Sequence, residues 1–565
     1  MRKLLERILS INSAPVIVVL LVLRYLFRFS SLVAVDIIQG CLYLLALGTL
    51  TATVGLTRSR GDLKSRPWQL ILSLLFLAGL VLTVVNRGTA GNLHEWTAAW
   101  VSNAYLGAMA FITISGHLIL LARRTSPALV LPSSFIVVIL VGTALLLAPR
   151  STEQGGISPV DALFTSTSAT CVTGLIVKDT ETDFTFQGQL IILLLIQVGG
   201  LGLMTFAAFF SLTFGQNIGL SDTMNLTRIM DTEFASDLKH ILVSILLWTL
   251  TIEAAGAVLL YNTWSGLETG WSTGETIWQS IFHSISAFCN AGFSLNSNNL
   301  EGFSHSPETG LIIGSLIVLG GLGFMLLTVL GKSWLNRIKT GRKRPLPVQA
   351  RFVLLSTGIL VALALLFFIG AEWNNTLRGM TIPQKLGNGF LEAVTPRTAG
   401  FNTVPTSELL PSVKWFFVIL MFVGASPGGT GGGVKTTSVG LLFLSLRSLL
   451  QRKKQPEIWR RRIPAFDLQR AGAVLLMGMA TFGVSSMLLL ITENSTGQFQ
   501  ESDYIFEAMS AFGTVGLSTG VTSVLTTPGR WIIIVTMFIG RTAPATLAAA
   551  TIRCVPHRTA TRRTG

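Results

Sequence analysis

Long apolar runs recur along the whole chain and indicate the kind of elements it forms. The first four lie near residues 14–35, 37–56, 68–86 and 103–122. Each is long enough to cross a hydrocarbon layer of ~30 Å as a helix that rises ~1.5 Å per residue. From about residue 132 onward, long apolar spans alternate with short segments rich in Ser, Thr, Ala and Gly. The pattern predicts an all-α polytopic membrane protein whose short segments enter the bilayer and return to the same face.

Composition and charge agree with a membrane protein. Half of the residues are hydrophobic (50%), only 12% are charged, and the mean hydropathy is +0.62. The formal net charge is +15, and the basic residues cluster between apolar segments, each cluster an even number of spans from the next. This arrangement predicts basic cytoplasmic loops and two cytoplasmic termini. It disfavours nucleic-acid binding, which requires one continuous basic face.

An internal repeat becomes visible when four segments are aligned on one glycine each. The segments are FTSTSATCVTGL on Gly174, FHSISAFCNAGF on Gly292, FLEAVTPRTAGF on Gly400 and FEAMSAFGTVGL on Gly516. All four have Phe ten residues before the glycine, and Leu or Phe directly after it. Three of them also share a Ser-Ala pair. Four ungapped matches, each between two apolar spans, indicate four related units.

Each unit is predicted to consist of a span, a short pore helix, a glycine loop and a second span. Helix starts are expected at Ser158 before Pro159, and at Ser502 before Asp503. The predicted divisions are extra N-terminal transmembrane helices at 1–130, pore repeat 1 at 131–213, repeat 2 at 214–340, repeat 3 with a gate loop at 341–465, and repeat 4 with a cytoplasmic tail at 466–565.

Four such units around one central pore, with pseudo-fourfold symmetry, would create a site for a cation. The short helices would direct their negative ends toward a common axis, and the extended loops could turn rings of carbonyl oxygens inward. Glycine would be required because a β-carbon would crowd the axis or forbid the backbone angles. No carboxylate lies in the loops, which favours a weakly hydrated monovalent cation. The predicted filter residues are Val172, Thr173, Gly174, Asn290, Ala291, Gly292, Thr398, Ala399, Gly400, Thr514, Val515 and Gly516.

The segments ATCVTGL, SAFCNAGFS, TPRTAGFNT and SAFGTVGLSTG resemble the filter segments of the Trk/Ktr/HKT superfamily of cation transport subunits. The resemblance covers about residues 132–552. It implies a potassium-conducting subunit in the bacterial inner membrane, assembled as a homodimer and gated by a cytosolic nucleotide-binding ring of the RCK/KTN type. Gly174, where sodium-passing members often carry Ser, favours potassium. A sodium-coupled or sodium-selective transporter is the alternative. No cofactor is expected in this chain, and no catalytic cluster suggests an enzyme.

One predicted span is interrupted by GASPGGTGGGVKTT, which begins at Gly424 and cannot stay helical. By resemblance, this stretch is an intramembrane gate loop below the filter; the alternative is a simple kink. The interruption is expected in the third repeat alone. Arg541, within the last span, matches an arginine at the narrow point of the pore, and a salt bridge to a carboxylate is the alternative. The predicted gate residues are Gly424, Gly428, Gly429, Gly431, Gly432, Gly433, Lys435 and Arg541.

Four further side chains carry their own expectations. Arg397, close to the third filter glycine, should point behind the loop and pair with an acid such as Glu392. Glu253 is interpreted as a helix-packing hydrogen-bond acceptor rather than a cation ligand. His283 is interpreted as an interfacial helix residue. Lys435 is expected either to form an electrostatic barrier in the gate loop or to extend toward the cytoplasm.

Overall fold

The computed structural model describes residues 127–202, 238–341, 346–452, 456–493 and 499–551, apart from 269 and 459–460. The four predicted N-terminal spans lie outside these residues. The chain divides into two compact units. One consists of Met1–Ser126, Leu147–Gly156 and Met204–Leu226, and only its middle stretch is described. The other consists of Pro127–Leu146, Ile157–Leu203 and Thr227–Gly565, and it contains every element discussed below.

The second unit is almost entirely helical, and four stretches of it share one order of elements. Each contains a long helix, a short helix, a glycine loop and another helix. The first stretch has α1 (Pro127–Leu146), α2 (Pro159–Cys171) and α3 (Phe186–Leu201). The second has α4 (Leu238–Trp264), α5 (Thr273–Phe288), α6 (Pro307–Leu322) and α7 (Phe324–Thr340). The third has α8 (Val348–Glu372), α9 (Ile382–Val394), α10 (Pro411–Phe422) and α11 (Thr436–Leu450). The fourth has α12 (Ala465–Glu493), α13 (Glu501–Gly513), α14 (Val521–Val524) and α15 (Thr527–Thr551).

Two short strands lie between the third and fourth stretches, and they are the named strands of the described part of the chain. The strands β1 (Glu457–Ile458) and β2 (Arg461–Arg462) pair antiparallel. They occupy a basic segment that the sequence places outside the apolar spans. The prediction of an all-α fold therefore holds apart from this two-residue ladder.

The distribution of apolar side chains fits a protein surrounded by lipid. Within the described ranges, three helices are long and apolar enough to cross a membrane: Val243–Trp264, Val348–Glu372 and Ala465–Glu493. They turn large apolar side chains outward, as at Leu366, which is 72% exposed. The short helix α2 shows the opposite distribution, because its polar Ser and Thr side chains are buried inside the protein. A polar centre inside an apolar surface is what a hydrocarbon solvent favours.

The four stretches follow one another around a closed circuit of helix contacts. The helix after each glycine loop packs against the short helix of the next stretch: α3 on α5, α6 on α9, and α10 on α13. Helix α15, near the end of the described chain, packs in the same way on α2. The same contact therefore recurs at every junction, including the one between the last stretch and the first.

Helix starts agree with the sequence at one short helix and differ at another. Ser158 is the N-cap of α2, its side chain accepts from the amide of Asp161, and Pro159 begins the helix, as predicted. In α13 the N-cap is Gln500 rather than Ser502, because Gln500 and Asp503 form a reciprocal capping box. The predicted start at Ser502 is therefore wrong by two residues.

The helix that follows the glycine loop is interrupted in more than the third stretch. Helix α6 ends at Leu322, and Gly323 takes a φ of 94° before α7 resumes at Phe324. Helix α3 ends at Leu201, followed by Gly202 with a φ of 78°. Glycine at these positive φ values breaks the helical path without a steric penalty. The expectation of a break in the third repeat alone is therefore wrong, although that break remains the longest of those described.

Candidate functional site

The four aligned glycines contact one another in a closed cycle. A β-carbon on Gly174 would lie 2.5 Å from the carbonyl oxygen of Ala291 and 3.0 Å from the Cα of Gly292. On Gly292 it would lie 2.8 Å from the carbonyl oxygen of Ala399 and 3.0 Å from the Cα of Gly400. The cycle continues from Gly400 to Gly516 and from Gly516 back to Gly174. Any larger residue would push one loop away from its neighbour.

Backbone conformation repeats in the four loops. The glycines have φ values of 92°, 69°, 76° and 96° at Gly174, Gly292, Gly400 and Gly516. Two positions earlier, a residue other than glycine is also left-handed in each loop. These residues are Val172, Asn290, Thr398 and Thr514. Positive φ is costly for a β-branched residue, so the surrounding contacts must hold these loops in place.

Serines of the short helices hold the loops. In the first and fourth loops the glycine N–H donates to a serine Oγ six residues earlier, at 3.1 Å from Gly174 to Ser168 and at 3.1 Å from Gly516 to Ser510. In the second loop Ser286 Oγ instead donates to the carbonyl oxygen of Phe293 at 2.8 Å. The third loop has Val394 at this position and lacks the contact. The repeated Ser-Ala pair in the sequence therefore marks loop supports.

Carbonyl oxygens of the twelve predicted filter residues are nearly all without a donor. In the described part of the chain, only the carbonyl oxygen of Gly400 accepts a hydrogen bond. The carbonyl oxygens of Thr173, Ala291, Ala399 and Val515 each lie against the glycine of the adjoining loop. More than nine in ten buried backbone carbonyls in proteins are paired. A ring of unpaired ones can coordinate a cation.

A cavity of about 420 Å³ opens on one side of the glycines. Its lining is largely polar and includes Asp179, Asn298, Glu301 and Ser518. The Glu301 carboxylate accepts from Asn402 Nδ2 at 2.8 Å. Burial raises the pKa of Glu301; the Asn402 hydrogen bond opposes this shift and the nearby Glu408 charge adds to it. The cavity therefore has a titratable carboxylate near the loops.

On the other side of the glycines lies the loop that joins α10 to α11. Gly432 N–H donates to Thr514 Oγ1 at 3.1 Å. A β-carbon on Gly431 would overlap the Thr398 hydroxyl and lie 2.8 Å from the Ala425 Cβ. The predicted gate glycines are therefore in direct contact with two predicted filter threonines. No larger residue fits at these points without moving the loop.

Backbone hydrogen bonds fasten this loop at both ends and to α6. Val423 and Val434 form an isolated parallel bridge, and Gly424 N–H donates to the Val434 carbonyl at 2.8 Å. Ser426 N–H donates to the Gly321 carbonyl at 3.1 Å, and Phe324 N–H donates to the Gly428 carbonyl at 3.0 Å. The helix break at Gly323 supplies the free backbone groups for these contacts. The interruption of α6 and the loop are thus two parts of one arrangement.

Two basic side chains attach to the same loop. Arg541 Nη1 donates to the Thr430 carbonyl, and Nη2 donates to the Gly199 carbonyl at 2.6 Å. Lys435 Nζ donates to the Gly431 carbonyl at 2.6 Å. Among the described residues no carboxylate forms a salt bridge with Arg541, so the alternative of a salt bridge is not found. Lys435 lies in the loop and does not extend away from it.

Arg397 does not form the expected ion pair with an acid in the part of the chain that the structure describes. Its side chain is buried, its Nε has no hydrogen-bond partner, and within the described ranges it forms no ion pair with Glu392. Glu392 instead accepts from the amide of Thr403 at 2.9 Å. That carboxylate thereby holds the segment after the third loop.

His283 and Glu253 both lie inside the protein. His283 is fully buried, so the interpretation as an interfacial residue is wrong; its Nε2 lies 2.9 Å from Ser294 Oγ. Glu253 accepts from Gln197 Nε2 at 3.1 Å, between α4 and α3, in agreement with the helix-packing interpretation.

Glu507 was missed in the sequence although it supports the fourth loop. Its carboxylate accepts from Ser518 Oγ at 2.9 Å and from Thr522 Oγ1. Glu507 and Ser518 occupy the same positions relative to Gly516 as His283 and Ser294 do relative to Gly292. The repeat alignment contained this signal: a polar residue nine before the glycine and a serine two after it.

Comparison with known proteins gives a consistent picture. The TrkH family, described as cation transport protein, matches residues 101–559. The chain is 38% identical over 425 residues to the Ktr system potassium uptake protein B of Bacillus subtilis, covering 75% of this chain and 92% of that one. It is 34% identical to the protein of the same name from Vibrio alginolyticus, covering 77% of this chain and 93% of the other.

Two further comparisons concern ion choice and fold. The potassium/sodium uptake protein NtpJ of Enterococcus hirae is 33% identical over 74% of this chain and 91% of its own length. The crystal structure of the potassium transporter TrkH from Vibrio parahaemolyticus superposes with a TM-score of 0.57 at 18% identity, covering 87% of this chain and 98% of that one. The resemblance inferred from the glycine loops is confirmed, and the chain belongs to the TrkH family of membrane cation transport proteins.

Proposed function

We propose that this protein is the potassium-selective conducting subunit of a bacterial potassium uptake system. The observation that carries the proposal is the ring of four mutually contacting glycines, surrounded by carbonyl oxygens of which all but that of Gly400 lack a donor in the described part of the chain. Such oxygens can replace the water shell of a cation. The twelve residues named above form the filter, potassium binds at their carbonyls, and the four units surround one pore. The divisions 1–130, 131–213, 214–340, 341–465 and 466–565 belong to this proposal.

Potassium is favoured by the chemistry of the ring. Every position uses a backbone carbonyl and no carboxylate, which suits a large monovalent ion that loses its water readily. Gly174 stands where a serine would introduce a side chain into the ring. Two of the relatives are named as potassium uptake proteins.

Sodium transport is the second candidate, and one observation favours it. The Enterococcus hirae relative is named as a potassium/sodium uptake protein and is nearly as similar as the others. A sodium-coupled or sodium-selective protein would use the same ring of carbonyl oxygens but with a different preference between potassium and sodium. Separate potassium and sodium gradients across proteoliposomes distinguish the two candidates.

The loop between α10 and α11 acts as the gate. It lies against Thr398 and Thr514 at the end of the filter away from the cavity, and therefore blocks the exit of an ion. Arg541 and Lys435 each fasten the loop through one hydrogen bond, to the carbonyls of Thr430 and Gly431, and these bonds can be broken without unfolding a helix. Opening requires these bonds to be released.

Partners and location complete the proposal. Relatives carry the name of a Ktr system, so this chain is assigned to a multicomponent assembly. The assembly is a homodimer in the inner membrane with a cytosolic nucleotide-binding ring of the RCK/KTN type and with both termini in the cytoplasm. Potassium is the transported ion, and the chain itself uses no cofactor.

Growth rescue tests the function directly. The gene is expressed in a bacterium that lacks its own potassium uptake systems, at low external potassium, with and without a candidate nucleotide-binding partner. Rescue by potassium, combined with uptake that exceeds sodium uptake, supports the proposal. Equal uptake of sodium supports the second candidate, and membrane-inserted protein that transports neither ion refutes both.

A further inference from the structure

The carbonyl oxygen of Gly400 differs from those of the other three glycines. Asn299 Nδ2 donates to it at 3.0 Å, across the boundary between the second and third stretches. The carbonyl oxygens of Gly174, Gly292 and Gly516 accept no hydrogen bond in the described part of the chain. These three glycines line the cavity and Gly400 does not. The environment of the Gly400 carbonyl therefore breaks the equivalence of the four glycine positions.

Local structure holds Asn299 in this position. Its φ is 54°, a left-handed conformation that asparagine tolerates better than most residues. Its backbone N–H donates to the Asn296 carbonyl at 2.9 Å, and the Asn296 N–H donates to Ser294 Oγ at 3.0 Å. Ser294 Oγ in turn lies 2.9 Å from Nε2 of the buried His283. The turn is thus attached to the short helix α5.

A second connection attaches the turn to the loop that it supports. Leu300 N–H donates to the Asn402 carbonyl at 3.1 Å, two residues beyond Gly400. The backbone of the turn and the Gly400 loop therefore cannot separate without losing this bond. The orientation of the Asn299 amide follows from chemistry, because its oxygen would otherwise face the carbonyl oxygen of Gly400.

We propose that Asn299 is a specificity-determining residue that fixes one carbonyl of the ion-binding ring. This proposal rests on the proposed filter function. The amide occupies one lone pair of the Gly400 oxygen and keeps it from moving toward the axis. Sodium is smaller than potassium and requires the ring to contract around it. A carbonyl held from outside resists contraction, so the asparagine favours potassium without touching the ion.

Two substitutions at this position keep the backbone conformation. N299G removes the donor, and glycine accepts a φ of 54° without strain. N299D keeps the shape of the side chain but replaces the donor by an acceptor. Asn298 provides the matched control, because it is exposed, lines the same cavity and makes no side-chain hydrogen bond to a filter residue in the described ranges. N298G therefore reproduces the gain in backbone freedom caused by N299G, and N298D reproduces the negative charge introduced by N299D.

The experiment measures initial potassium and sodium uptake into proteoliposomes for each variant, together with thermal unfolding in detergent. We expect N299G to lower the potassium-to-sodium ratio by about five-fold, the effect of one lost hydrogen bond of ordinary strength. N299D should lower the ratio at least as much, and both Asn298 variants should leave it unchanged. A purely structural role would lower the amount of folded protein and leave the ratio of the remaining protein unaltered.

G174S in the same assay separates this inference from the proposed function. An unchanged ratio in N299G with an altered ratio in G174S overturns the role of Asn299 alone. Unchanged ratios in both variants overturn the filter itself. If N299G does not fold, the potassium-to-sodium ratio of N299D, compared with that of G174S, tests the role of Asn299 in the same way.

Discussion

Arg530 Nη1 lies 2.5 Å from Asp161 Oδ1, although the two residues are 369 positions apart in the chain. Arg530 is in the first turn of α15, and Asp161 is in the first turn of α2. A related pair joins Lys414 at the start of α10 to Asp503 at the start of α13, at 3.5 Å. Both basic residues follow their loop glycine by the same interval, and both acids precede theirs by the same interval. The Arg530–Asp161 pair therefore closes the circuit of stretches.

Breaking the closing pair should destabilise the fold. The two side chains are 23% and 8% exposed, so the pair is partly shielded from water. We expect D161N to lower the free energy of unfolding by about 2 kcal/mol, between the values typical of exposed and buried pairs. Thermal unfolding of D161N, R530Q and the double variant measures the coupling. Additive effects of the two single changes would contradict a direct interaction.

Replacing Gly174 by serine should reduce discrimination between potassium and sodium. The side chain would meet the carbonyl oxygen of Ala291, and the φ of 92° disfavours any L-residue. We expect the potassium-to-sodium ratio to fall about ten-fold, equivalent to roughly 1.4 kcal/mol. G270S is the control, because Gly270 has a φ of 73° with no neighbour near a built β-carbon. Equal ratios in G174S and G270S would refute the filter assignment.

Alanine at Gly431 should open the gate loop. Its β-carbon would overlap the Thr398 hydroxyl and crowd Ala425. The loop must shift, so we expect potassium flux in the absence of a regulatory partner to rise several-fold. Flux from proteoliposomes under a fixed gradient gives the measurement, and G472A is the control because that helical position is open. A folded G431A protein with unchanged flux would indicate that the loop is only a structural kink.

Arg541 should tie the loop to α3, because its guanidinium group donates both to the Thr430 carbonyl of the loop and to the Gly199 carbonyl of α3. Alanine removes both hydrogen bonds, whereas lysine keeps the charge but cannot match the fork of a guanidinium group. We therefore expect partner-independent flux to increase in both R541A and R541K, more strongly in R541A. Electrophysiological recording of conductance separates this effect from lower expression. Loss of folded protein without a change in flux per molecule would argue against the anchoring role.

Acid should weaken uptake through Glu301. Burial raises the pKa of this carboxyl above its ordinary value, against the opposing Asn402 hydrogen bond and with the Glu408 charge adding to the shift. Protonation therefore begins at a higher pH than for a free glutamate of pKa ~4.3, and it removes negative charge from the cavity. Because the folded pKa is raised, the folding stability contributed by the protonated group is present at low pH and lost as the pH rises.

The measurement is potassium uptake at limiting potassium as the pH on the cavity side is lowered from about 7 toward the ordinary glutamate pKa of ~4.3. The protein should lose uptake over this interval, and E301Q should start lower and change less. E408Q is the comparison, because it removes a neighbouring charge and should shift the loss toward lower pH. Superimposable profiles for E301Q and the unchanged protein would exclude Glu301 as the titrating group.

Much of the site could be predicted because its backbone requirements leave a trace in the sequence. Each loop needs a glycine at one left-handed position, and a short helix of fixed length must precede it, so the spacing from Phe to Gly is constant. The loop of glycines at 424–433 is conspicuous for the same reason. Arg397, by contrast, does not pair with Glu392, although that carboxylate lies near it in the chain. Proximity in sequence does not determine where a side chain points once the chain leaves a helix and enters a loop.

By itself, the sequence determined the membrane-embedded helical class, the four glycines and the position of the longest helix break. These features arise from local physics: apolar length, backbone freedom at glycine and helix-breaking composition. Only the tertiary structure decided that the glycines meet in one cycle, that Gly323 and the loop share hydrogen bonds, and that Asn299 reaches Gly400. Those contacts join residues that lie a hundred or more positions apart in the chain. They depend on how helices pack, and no local pattern specifies which side chain will face a given carbonyl.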